Sequence, residues 1–249
     1  MSPEGFSSPF GSRLSLSALR REFASMFASL EELQWHIRPE LEYRIQQLFG
    51  DRSLRVLALA VEVTEIYRAG SAADLAGEVI SDVRMARPVF PAAGDIDFHK
   101  VISDRAENLL SSGQNPPLDP HVRAGMTRRL RECAFHIHPT IHPFLGADGR
   151  QAFLSVVCAY RHSDPEIFNA IADASSRFFS QGGALPDSRH IEEAKQEIAT
   201  MHAEAEELSL SYPFTLRHRL DDPQWVEGER HRLDTEISRL VAQKASFGR

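Results

Sequence analysis

Apolar side chains recur every three or four residues from the start of the chain, at Leu14, Leu16, Leu19, Phe23, Phe27 and Leu30 and again at Leu41, Ile45 and Leu48. This spacing puts them on one face of an α-helix, so the first third is predicted to be helical. Residues 54–67 are apolar on most faces, as in a buried helix, and residues 72–85 give an amphipathic helix beyond the break at Gly70. Between residues 87 and 97, Pro88, Pro91 and Gly94 surround Val89, Phe90 and Ile96, and a short β-hairpin flap is expected there. Helices follow at 98–110 and 121–138, separated by a loop over 112–120; Pro139 and Pro143 end the second.

Residues 151–162 read as a very apolar helix, and Asp164-Pro165 opens the next with an N-cap residue and a proline at the first helical position. That helix is predicted to reach Phe179, where Gln181-Gly182-Gly183 breaks the pattern. A charged amphipathic helix at 191–210 and a last helix at 229–246 complete the chain. The fold class is therefore all-α. The expected organisation is a flexible N-terminal arm (1–13), an N-terminal helical region (14–86), a core (87–180) and a C-terminal helical extension (181–249).

Composition narrows the picture. The chain has 249 residues, 42% hydrophobic and 25% charged, which are globular values and long enough for one substantial core. A net charge of −7 opposes general nucleic-acid binding, because phosphate backbones attract basic surfaces. No apolar run suits a membrane span, and residues 1–11 lack the basic start and apolar stretch of a secretory signal. Cys133 and Cys158 lie among apolar neighbours and are expected to be buried thiols in a reducing cytoplasm.

The densest chemistry lies in His142-Pro143-Phe144-Leu145-Gly146-Ala147-Asp148-Gly149-Arg150. A histidine able to take a proton precedes glycines that free the backbone and an arginine able to hold an anion. The next helix starts at this loop, so its free N–H groups and positive dipole end form an anion site.

This stretch resembles the signature loop of the Fic family, His-Pro-Phe-x-(Asp/Glu)-Gly-(Asn/Asp)-(Gly/Lys)-Arg, with His142, Pro143, Phe144, Gly149 and Arg150 matching. Phe135-His136-Ile137-His138 is similar to the helix that precedes the motif in that family. The resemblance implies a Fic-like helical bundle in which His142 is the general base that deprotonates a hydroxyl. Arg150, Gly149, Asp148, Ala147 and Gly146 would hold the anionic substrate, and Phe144, pointing into the core beside Pro143, would anchor the loop. It also implies ATP or another nucleotide, with Mg²⁺, as cosubstrate.

The centre of the loop departs from the pattern. Gly146 stands where the family has an acidic metal ligand, and Ala147 would cost about 1 kcal/mol if the backbone there were left-handed. Asp148 puts negative charge beside the phosphate position, where it could serve instead as the metal carboxylate or as a helix N-cap.

Three function classes follow. The first is a Fic-like transferase that moves a nucleotide monophosphate or another phosphate-linked group onto a hydroxyl of a protein. The second is a divergent Fic-fold enzyme that uses His142 as acid/base on a small molecule in biosynthesis, without nucleotide or metal. The third is a non-catalytic helical interaction module. Homo-oligomerisation is open in each.

Other constellations carry less. His136, His138 and His142 are close enough for a transition metal only if a helix survives Pro139. Asp95, Asp97 and Lys100 lie at the expected flap, and Arg128, Arg129 and Arg131 make a basic patch that reads first as a solvated helix face. Thr200 and Glu204, followed by Ala205, come nearest to the inhibitory motif of Fic proteins but miss its final position.

Overall fold

The computed structural model describes residues 9–69, 116–180 and 186–247. The expected flap, the helices at 72–85 and 98–110 and the Gly182-Gly183 break lie outside the described residues. Among the described residues every regular element is helical and no strand occurs, so the all-α class holds. The chain divides into two compact units, one holding the residues up to Glu40 together with Pro117–Thr215, the other Leu41–Pro116 and Leu216 onward.

In the first unit, α1 (Pro9–Glu32) leads into a single π-turn, Leu33–Ile37, and then α2 (Arg38–Ala69), which continues into the second unit. The wide turn has a local cause. Pro39 cannot donate to the carbonyl of Trp35, and the Arg38 N–H reaches back five residues to the carbonyl of Leu33. His36 is buried in this turn, its ring edge-on to Tyr160 with centroids 4.4 Å apart.

Helix α3 (Pro120–Ile137) starts where Asp119 accepts the N–H groups of His121 and Val122, with Pro120 at the first helical position. Its buried face, Met126, Leu130, Cys133, Ala134 and Ile137, keeps the three-and-four spacing and packs on α4 (Ala147–Arg161) and α5 (Pro165–Ser175). Helix α4 begins inside the signature stretch, four residues ahead of the expected start, because Gly146 itself serves as the N-cap. Asp164 caps α5 as expected; the helix stops at Ser175, and a 3-10 turn carries the chain on to Phe178.

Helix α6 (Ser188–Leu210), capped by Asp187, buries Ala194, Ile198 and Met201 against Phe23 and Leu30 of α1. Between helices, Glu31 accepts a two-pronged pair from Arg161, whose guanidinium also lies 4.9 Å from the Trp35 ring centre. Arg123 of α3 bridges Glu32 and Glu40.

In the second unit, α7 (Pro223–Phe247) starts six residues earlier than its pattern predicts. It runs parallel to α2: Arg44 pairs with Asp221, Arg52 with Asp234 and Lys244 with Glu62, both sequences advancing together. Phe49 and Trp225 meet edge to face at 5.9 Å. No helix here is long and apolar enough to cross a membrane, among the described residues.

One thiol differs from expectation. Cys133 is buried, which pushes its pKa up to about 12, but Cys158 is exposed, because it falls on the outer face of α4.

Candidate functional site

The site is the turn between α3 and α4. Helix α3 ends at Ile137, and His138 caps it in extended geometry ahead of Pro139. The turn is closed by its own backbone, with the His142 N–H on the carbonyl of His138 and the Leu145 N–H on that of His142, each at 3.0 Å. Two apolar residues hold it down from opposite sides. Ile141 joins the cluster between α1 and α6, while Leu145 enters the main core, both 3% exposed.

Phe144 does not anchor the loop. It is 58% exposed and leans on the His190 ring, centroids 5.6 Å apart. The anchor is one residue later, since the turn reverses the chain so that Leu145, not Phe144, faces the core. Pro143 is half-buried beside it.

His142 is buried, and its Nε2 donates to the carbonyl of Phe135 at 2.8 Å. A carbonyl only accepts, so this nitrogen carries the proton and Nδ1 holds the lone pair. Nδ1 is buried and has no partner. Burial lowers the His142 pKa to about 4, partly offset by the Phe135 bond and reinforced by the charges of Arg20 and His136. At neutral pH His142 is therefore an uncharged imidazole with one free basic nitrogen.

The other two histidines are occupied separately. His138 is enclosed by the rings of Phe23, Phe27 and Phe153 at 4.6–4.8 Å, and its Nδ1 accepts the Thr140 N–H. Burial pushes its pKa down to about 3. His136 stacks on Phe179 at 4.5 Å. Among the described residues no group of three or more His, Cys, Asp or Glu gathers around a common point.

On the far side of the turn, the first helical bond of α4 runs from the Arg150 N–H to the carbonyl of Gly146. No side chain caps this end, so the N–H groups of Ala147, Asp148 and Gly149 are left for a ligand or water. Arg150 is exposed, and its Nη1 donates to the carbonyl of Leu145 at 2.6 Å, which holds the guanidinium beside those N–H groups. The Arg150 cation and the uncapped, positive end of the α4 dipole thus belong to the same turn.

The glycines serve packing and access rather than left-handed backbone, since no described glycine has a positive φ. A Cβ on Gly149 would lie 2.6 Å from Cγ of Leu145, so glycine is what lets Leu145 seat against α4. A Cβ on Gly146 would meet open space. Ala147 is an ordinary first helical residue, so the strain expected for its methyl does not arise. Asp148 lies exposed in the first turn and does not cap the helix.

The residues fit an anion better than a metal. A divalent cation would find one carboxylate on the turn, Asp148, and would need its remaining ligands from water and from the anion. No family model matches the chain, and no curated protein or solved structure matches it. Sequence reasoning missed Phe135, whose carbonyl orients the histidine, because a main-chain acceptor leaves no mark in side-chain identity.

Proposed function

We propose that the turn at residues 142–150 is the active site of a Fic-like transferase that moves a phosphate-linked group, a nucleotide monophosphate in the first instance, onto a hydroxyl. The observation that carries this reading is the neutral His142 with an unpaired, proton-accepting Nδ1 on a turn that ends at the bare, Arg150-flanked N-terminus of α4. The helix end and Arg150 bind and orient the anion. His142 takes the proton of the attacking hydroxyl at Nδ1, and Phe135 fixes the tautomer that leaves this nitrogen basic. Because Nδ1 is enclosed, the turn must open by a side-chain movement before a hydroxyl reaches it. A bound nucleoside triphosphate with Mg²⁺ would supply the transferable monophosphate, its α–β phosphoanhydride bond breaking to release pyrophosphate, and Asp148 is the residue that would meet the cation.

Gly146 favours a second reading, a Fic-fold enzyme acting on a small molecule without metal, since the position carries no ligand side chain. The deciding experiment incubates the protein with each nucleoside triphosphate and Mg²⁺ and seeks nucleotide-sized mass additions on itself or on lysate proteins. His142→Ala and the exposed Arg150→Ala should both abolish them. No addition with any nucleotide, together with no thermal shift, rejects the transferase.

A further inference from the structure

The exposed face of α3 carries two hollows that meet. One, about 510 Å³, lies between α3 and α5, with Val122, Met126 and Pro165 supplying apolar wall. The other, about 410 Å³, lies between α3 and α1, lined by Arg21, Arg131 and the ring of Phe135. Arg128 and Glu132 line both, so the two hollows adjoin over α3 as one trough.

The charge of this trough is opposite to that of the chain. Among the described residues, the exposed Arg128 and Arg131 pair with no carboxylate, and Arg21 makes a hydrogen bond to Ser17 at 3.2 Å and no ion pair. Among the described residues Glu132 is the one carboxylate lining either hollow, in a protein of net charge −7. Unpaired arginines gathered in a concave strip concentrate positive potential there and attract an anionic partner. Apolar wall in one hollow and arginines in the other suit a peptide that carries acidic side chains and lies across both.

We propose that this trough docks an acidic peptide segment of the protein that receives the transferred group. The proposal rests on the transferase reading for its purpose, because the trough ends at Phe135, whose carbonyl holds His142.

The test measures anisotropy of a fluorescein-labelled peptide of alternating glutamate and serine, against its lysine-serine counterpart, on the full chain. The acidic peptide should bind and the basic one should not, with affinity falling as salt rises. Arg128→Glu combined with Arg131→Glu should weaken binding about tenfold or more, with melting unchanged because both side chains are exposed. Equal binding of both peptides, or indifference to the charge reversal, overturns the proposal. Displacement by inorganic phosphate at matched charge also overturns it, marking a small-anion site instead. Binding is read without any transfer, so selective peptide binding by a protein that transfers nothing counts against the transferase alone. Transfer without peptide discrimination counts against docking alone.

Discussion

The ring of His142 gives its single proton to the carbonyl of Phe135, seven residues earlier, at 2.8 Å. This bond spans the end of α3 and makes the last helical turn the part that sets the tautomer of the candidate base. The ring is neutral because burial penalises a second proton by more than the bond to Phe135 favours it, and the charges of Arg20 and His136 add to that penalty.

Acid should destabilise the fold through three histidines. His142 and His36 have pKa values lowered to about 4 and His138 to about 3, from an unfolded value of 6.5. For each, burial is the largest cause; Arg20 and His136 add to it at His142, Arg123 at His36 and His142 at His138. The folded state binds fewer protons than the unfolded one between these limits, so stability is complete above the unfolded pKa and is lost as pH falls toward about 4. Melting temperature measured across this window should decline with pH, and unfolding near pH 5 should take up more than one proton. A flat profile would remove the burial argument.

Leu145 and Phe144 should behave oppositely. Leu145→Ala empties a buried site and should cost about 2–5 kcal/mol, whereas Phe144→Ala on the exposed side should stay within about 0.5 kcal/mol. Urea unfolding of both variants reads the difference directly.

Gly149→Ala drives a methyl into Cγ and Cδ1 of Leu145, at 2.6 and 2.7 Å, and should cost about 1–3 kcal/mol. The double variant with Leu145→Ala should be less unstable than the sum of the singles, since the clash disappears with its partner. Strict additivity in a denaturant cycle would mean that the two residues do not touch.

Arg161→Ala should leave Glu31, a buried carboxylate, without its two-pronged partner. The loss is expected at about 3 kcal/mol, the low end for a broken buried pair, because the Arg161 side chain is partly solvated. Calorimetry should show Arg161→Lys recovering only part of it, as an ammonium cannot reproduce the planar fork.

Gly146→Asp places a carboxylate where open space and extended backbone already suit an N-cap. It should raise stability by a few tenths of a kcal/mol and supply the acidic ligand this turn lacks. On the transferase reading, the thermal shift from nucleotide with Mg²⁺ should then exceed that of the parent chain. An unchanged shift would place cation binding elsewhere.

The periodicity of apolar positions determined the helices, because a helix facing a core needs the same spacing wherever it lies. Thus α3 starts one residue before its predicted position, and Asp164-Pro165 opens α5 as read. The motif likewise marked His142 and Arg150 by residue type alone. Tertiary structure decided how the turn between them is built. Which of Phe144 and Leu145 enters the core depends on the direction in which the chain reverses, and both are equally apolar in sequence. The partner of His142 is a main-chain carbonyl, which every residue carries, so only the fold could select Phe135. The role of Gly149 was equally hidden: its need is to clear Leu145, a contact set by packing rather than by any backbone angle that glycine alone adopts.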